Sequence, residues 1–150
     1  MTKIKIKGTA RTTLTYDDGR IETFEDHNMI VTSGFDFLIS SLINSQNRPN
    51  PLGYIALGTG TTAANASQTA LVSQYSTRKQ GTWSWTAGSK VFTITANWSK
   101  GAIPAGTTIT EGGVFNASTG GIMFDRIVFS TPFAGSSDVQ FTQQFEFEVA

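Results

Sequence analysis

One histidine, His27, and no cysteine set narrow limits on the chemistry open to this chain. Without thiols there is no disulfide, no thiolate nucleophile and no thiolate metal site. A Ser-His-Asp triad has to use His27, yet no G-x-S-x-G elbow accompanies it. Its neighbour Asp26 places it near a hairpin end, as a solvated or capping residue. Asp17, Asp18 and Asp26 offer oxygen ligands for calcium but lack the D-x-D-x-D-G spacing, and Asp17-Asp18-Gly19 is first of all a turn sequence. Gly58-Thr59-Gly60 follows an apolar run, as a phosphate loop does. The third glycine of the dinucleotide fingerprint and the Gly-Lys-Ser/Thr of a P-loop are both missing, and no long helix follows, so a tight turn at a strand end is expected. No catalytic, cofactor or metal residue is therefore assigned.

Two residue sets remain. Trp83, Trp85 and Trp98 are the raw material of a sugar-stacking surface, but no pair of carboxylates accompanies them for glycoside hydrolysis. A hairpin about Gly88-Ser89 with a two-residue turn sets Trp85 opposite Phe92 and Trp83 opposite Ile94. Each such pair contributes about 0.2–1 kcal/mol, and the register favours core or interface over a sugar platform. Glu111 and Arg126 form the other set. If Ser118 to Gly121 is a hairpin loop, Glu111 lies diagonal to Arg126 on one sheet face, among Ile109 and Phe115. A partly buried structural ion pair is expected, ahead of a catalytic carboxylate.

The elements that position these residues are mostly strands. Lys3-Ile4-Lys5-Ile6-Lys7 alternates strictly, lysines on one face and isoleucines on the other. It reads as an edge or arm strand for assembly, with Gly8 free to let residues 1–8 swing and even prospects of pairing within its own domain or with another subunit. Ala10 to Asp26 reads as a hairpin about Asp18-Gly19. A two-residue turn there leaves Phe24 on the face opposite Leu14, Tyr16 and Ile21, and a bulge or burial of both faces reconciles them. Tyr54 to Leu57 has the apolar run of a central strand, and Ala63 to Leu71 is read as a helical turn. Val139, Phe141, Phe145, Phe147 and Val149 alternate with polar residues in the clearest half-buried strand, interrupted only by Gln143.

Helical periodicity occurs once. Phe35, Leu38, Ile39, Leu42 and Ile43 fall at i, i+3, i+4, i+7 and i+8, which predicts a helix with that stripe in the core, capped by Ser33 with Asp36 in its first turn. The fold class expected is mostly β: an antiparallel two-sheet β-sandwich of roughly eight or nine strands with one short α-helix, as a single domain over 1–150.

Composition agrees. The chain has 150 residues, 15% charged and 11% aromatic, enough to bury roughly 70% of its unfolded surface in one domain. Formal net charge is zero, which gives no global field for nucleic acid or anionic membrane. No acidic residue occurs between Phe37 and Thr110, a tract holding Arg48, Arg78, Lys79, Lys90 and Lys100. No run approaches the roughly 20 apolar residues of a membrane span, and the N-terminus lacks an apolar leader, so synthesis in the cytoplasm is expected.

Three segments carry a resemblance. They are Asn28-Met29-Ile30-Val31-Thr32-Ser33-Gly34 ahead of the helix; Tyr54 through Leu57-Gly58-Thr59-Gly60-Thr61-Thr62 with Gln68-Thr69-Ala70-Leu71 after a spacer; and Ile109-Thr110-Glu111-Gly112-Gly113-Val114-Phe115-Asn116 with a glycine-rich turn and the strand from Ile122 to Phe129. In this order they resemble a broad class of small tailed-bacteriophage virion proteins, which includes tail or fibre components and capsid decoration proteins. The likeness covers most of residues 20–150 and is weakest over the first 20. It implies a non-enzymatic structural protein without cofactors, present in many copies on the virion. The leading expectation is a capsid decoration or cement protein over the shell of major capsid protein. The alternatives are a tail component (baseplate or fibre-attachment module) and a carbohydrate-binding adhesin using the tryptophans. Partners implied are the major capsid protein or other virion proteins and further copies of the chain, not nucleic acid or membrane.

Overall fold

A computed structural model describes residues 2–149; Met1, at the tip of the expected arm, lies outside them. The elements are β1 (Ile4–Thr15), β2 (Ile21–His27), β3 (Met29–Ile30), α1 (Thr32–Ile43), β4 (Tyr54–Gly58), β5 (Gln74–Gln80), β6 (Thr82–Trp85), β7 (Val91–Trp98), β8 (Ile109–Phe115), β9 (Met123–Phe133) and β10 (Asp138–Val149). They build two five-stranded antiparallel sheets, in the orders β2-β1-β10-β7-β6 and β3-β9-β8-β4-β5. The chain is thus a two-sheet β-sandwich with one helix.

Strand alternation assigns the cores. Ile55 and Leu57 of β4 join the main core between the sheets, with Leu14, Ile94, Ile127, Phe129, Phe141 and Phe145. Ala56, between them in sequence, points the other way, into a smaller cluster with Val31, Leu71, Phe115 and Met123. The second sheet therefore carries apolar packing on both faces. Its outer face is covered by the 59–73 segment, an irregular stretch with a hydrogen-bonded turn at Asn65–Gln68 where a helical turn was expected. Each large side chain so buried contributes about 1.5–3 kcal/mol.

Several expectations need correction. The N-terminal segment is not a swinging arm: residues 4–15 form one continuous strand, paired in register with β10 from Ile4↔Val149 to Thr15↔Asp138. Gly8 is buried within it, and a Cβ there would strike Asn28 Oδ1, so this glycine serves close packing. Lys5 and Lys7 lie opposite Glu148 and Glu146, which gives the polar face its cross-strand partners. The β1–β2 turn has three residues between Tyr16 and Arg20, with Gly19 at φ +84°. Thr12 then pairs with Phe24, so Phe24 shares the inner face with Leu14, and Ile21 is left outside.

The helix is where expected but turned over. Its buried residues are Gly34 and Phe37, with Leu38 partly buried beside them. Phe35 and Ile39 are exposed, and Leu42 and Ile43 are 81% and 76% exposed. Gly34 decides this orientation: a Cβ would collide with the Phe124 carbonyl, so the helix lies against β9 on its glycine side. Phe37 then meets Phe124 edge-on, with ring centroids 6.0 Å apart. The cap differs too. Val31 takes that position without a side-chain bond, while Ser33 Oγ donates to the Met123 carbonyl at 2.8 Å.

Candidate functional site

The hairpin of β8 and β9 places Gly113 opposite Arg126 and Glu111 opposite Val128, so Glu111 and Arg126 are diagonal neighbours as expected; the loop, however, runs from Ala117 to Gly121, one residue longer than expected, and a bulge at Phe124 restores the register. Their burial exceeds expectation: both side chains are fully buried. Arg126 Nε donates to Glu111 Oε2 at 2.8 Å, and Nη2 stands 2.8 Å from the same oxygen without the alignment of a second hydrogen bond. A register shift between Ile109 and Glu111 sends Ile109 into the main core, while Glu111 joins Phe115 on the outer face.

The covering segment completes this centre. Glu111 accepts from the backbone N–H groups of Gly60 (3.1 Å), Val72 (3.0 Å) and Ser73 (2.7 Å). Arg126 donates through Nη1 to the Thr62 carbonyl (2.8 Å) and Gln68 Oε1 (3.2 Å). Gly60 of the Gly58-Thr59-Gly60 loop thus joins Val72 and Ser73 in cradling an anion, and the anion is the chain's own carboxylate. Its glycines are steric requirements. A Cβ at Gly58 would lie 2.5 Å from Glu111 Oε1, and one at Gly60 would lie 2.6 Å from that oxygen. The Thr32 N–H donates to the Ala66 carbonyl at 2.8 Å, which joins the start of α1 to the same layer. The stretches 28–34, 54–71 and 109–129 therefore meet here.

A second polar cluster lies on the inner side of the same strand. A one-residue bulge at Phe124 sets Val114 opposite Asp125 and Phe115 opposite Met123. Asp125 is fully buried; its Oδ1 accepts from the Val114 N–H at 2.9 Å and its Oδ2 from Asn28 Nδ2 at 2.6 Å. Asn28 Nδ2 also reaches Gln143 Oε1 at 2.8 Å, linking the two sheets where the chain crosses from β2 to β3. Asn28 Oδ1 and Gln143 Nε2 are buried without partners. Burial pushes the Asp125 carboxyl up to about 7, against the opposing pull of the Val114 N–H and the Asn28 amide. The only sign of this cluster in the sequence is Gln143, the polar residue at an inward position of β10.

The remaining candidates are dispersed. His27 is exposed at the end of β2. Asp17 pairs with Lys100, Asp18 accepts from the Arg20 N–H, and Asp26 accepts from the Ser130 N–H, so the three aspartates share no centre. Among the described residues, no group of three or more His, Asp or Glu side chains is placed to hold a metal ion. The expected pairs Trp83↔Ile94 and Trp85↔Phe92 are present, but β6 overhangs the core edge and both tryptophans are exposed rather than buried. Trp98 is half-buried four residues further along β7, with Lys79 Nζ 5.6 Å above its ring, so the three do not form one stacking surface. Arg78, in a strand that has no apolar alternation to announce it, lies 3.4 Å from the centre of the Phe115 ring. It donates to the Ala117 and Gly120 carbonyls at 2.8 and 2.7 Å, clamping the β8–β9 loop.

No protein-family model matches the sequence, and no curated protein or solved structure matches it either. Among the described residues, no helix is long and apolar enough to cross a membrane.

Proposed function

We propose that this chain is a non-enzymatic structural protein of a bacteriophage virion, a capsid decoration or cement protein that binds over the major capsid protein and stabilises the particle. The observation that carries this reading is the place of the phage-like segments in the fold. Asn28–Gly34, Tyr54–Leu71 and Ile109–Phe129 converge on the buried Glu111–Arg126 centre, where every charged group is spent on holding the outer layer to the second sheet. Residues that look like a phosphate loop and a catalytic glutamate are thereby explained as scaffold.

The test is quantitative mass spectrometry of purified virions, with this chain counted against the major capsid protein. Hundreds of copies per particle are expected. A handful of copies assigns the chain to the tail, and absence from particles overturns the virion reading.

A further inference from the structure

The two sheets part at one edge of the sandwich, where a cleft of about 290 Å³ is lined from β4 and β5 on one side and from the end of β7 on the other. Buried Leu57 and half-buried Tyr75 and Trp98 give it an apolar interior; exposed Ser76, Thr77 and Lys79 give it a polar rim.

The cleft coincides with a break in the regular pairing of β5. Ile55 pairs with Lys79 but Leu57 with Tyr75, so β5 carries two extra residues between these pairs. In an unbroken ladder Thr77 would lie opposite Leu57. The insertion brings Tyr75 there instead and leaves Ser76 and Thr77 at the rim. Ser76 takes a left-handed backbone, φ +56°, uncommon for a residue other than glycine, and Gln74 Nε2 donates to its carbonyl at 3.0 Å. Backbone of this kind gathers at binding sites. The clamp of Arg78 on the β8–β9 loop does not call for the insertion. Arg78 alternates with Lys79 and faces outward with or without it.

Lys79 is opposite Ile55, a residue of the main core, and so points towards the facing sheet, where its Nζ stands 5.6 Å above the Trp98 ring. No Asp or Glu lines the cleft. The ion pairs among the described residues engage Arg11, Arg20, Lys100 and Arg126, but not Lys79. An inward lysine on an edge strand guards against edge-to-edge pairing, yet that duty needs neither the insertion nor a facing tryptophan.

We infer that this cleft binds an acidic saccharide, a hexuronate unit of a charged polysaccharide, with the sugar ring against Trp98 and the carboxylate at Lys79. An indole face packs the C–H face of a sugar ring, and the hydroxyls of Tyr75, Ser76 and Thr77 supply both donors and acceptors for sugar hydroxyls. The compact Lys79 ammonium selects the charged unit. The volume is at the small end of ligand sites, about 300–1,000 Å³, which suits one sugar unit rather than a larger ligand. A phosphate group calls for several converging donors or a backbone N–H cradle, and the N–H groups of Gly60, Val72 and Ser73 are already taken by Glu111. Such binding is additional to a virion role and does not depend on it.

The experiment is a heteronuclear NMR titration of the full chain with tetramers of galacturonate, mannuronate and glucuronate, and with the fully methyl-esterified galacturonate tetramer as a neutral control. At least one acid tetramer is expected to bind, with shifts confined to residues 75–79, the Trp98 indole N–H and their neighbours. Lys79→Gln, at an exposed position, should weaken binding about tenfold or more. The esterified tetramer should bind wild type as weakly as the acid binds that variant. Lys90→Gln removes an exposed lysine outside the cleft and should leave binding unchanged. Failure of all three acids to bind overturns the inference, and so does equal binding of the esterified tetramer or full binding by Lys79→Gln. An equal loss in Lys90→Gln would show non-specific charge attraction, and shifts centred on Trp83 and Trp85 would place the sugar elsewhere; either result also overturns it.

Discussion

Asp125 and Arg126 are adjacent in β9, fully buried, and face opposite sides of the second sheet. They meet the cost of burial in different ways. Arg126, on the outer side, has a counter-charge in Glu111 and two further acceptors in the covering segment. Asp125, on the inner side, has amide and backbone donors but no cation, and its carboxyl is driven towards the neutral form. A buried charge persists when it is paired and fully hydrogen-bonded; otherwise its proton equilibrium shifts until the charge is lost. One face of the strand therefore holds a hydrogen-bonded ion pair, and the other holds a carboxyl that titrates near neutrality.

Breaking the paired side should have the largest effect. Glu111→Gln leaves Arg126 buried without a counter-charge and weakens three backbone bonds. A loss of about 3–5 kcal/mol is expected, read as a drop of roughly 10 °C in melting temperature. An unchanged melting temperature would count against the pair as a structural device.

The unpaired side sharpens the contrast through pH. Unfolded, Asp125 ionises near the ordinary aspartate value of 3.8; folded, burial raises it to about 7. Between those values the folded state keeps a proton that the unfolded state has released, so stability falls as pH rises from about 4 to about 7. The full contribution is on the order of 4 kcal/mol. Asp125→Asn should flatten this slope, with the Asn28 and Gln143 amides, whose unpaired atoms are free to exchange places, accommodating the new donor. Urea melts at several pH values check it, and a slope that survives the substitution would assign it to another group.

Smaller effects probe the covering layer and the helix. Gly60→Ala pushes a methyl against Glu111 Oε1 and Val72 Cβ, both 2.6 Å away, and should cost about 1–3 kcal/mol in a denaturant melt. Leu42→Ala, on the outward ridge, should change monomer stability by less than about 0.5 kcal/mol, whereas Phe37→Ala should cost about 3–5 kcal/mol. Equal losses at the two positions would contradict the observed orientation of α1.

What could be read from the sequence depended on which interactions are local. The Trp83↔Ile94 and Trp85↔Phe92 pairs follow from turn length and period two, so counting residues along that hairpin was enough, whereas the Glu111–Arg126 diagonal holds because the Phe124 bulge offsets a loop one residue longer than expected. The orientation of α1 was not legible in that way. Its strongest apolar stripe faces solvent, and the side that packs is marked by Gly34, whose role depends on how closely a distant carbonyl approaches. Gly34, Phe37, Leu38 and Ser41 also fall at i, i+3, i+4 and i+7, but hydrophobicity alone ranks them lower. Strand β5, Gln-Tyr-Ser-Thr-Arg-Lys-Gln, has no apolar alternation because it lies at a sheet edge. The Asn28–Asp125–Gln143 cluster joins residues about a hundred positions apart, and no local pattern marks it.

The claim on which the rest depends is that Glu111 and Arg126 act as one unit to hold the outer layer in place. A double-mutant cycle tests it most directly, using Glu111→Gln, Arg126→Met and the combined variant, each melted in urea at neutral pH. A coupling free energy of about 2–3 kcal/mol is predicted, with the double variant less damaged than the sum of the single ones. Additivity within about 0.5 kcal/mol would mean that the two residues contribute independently, and would contradict their acting as one unit.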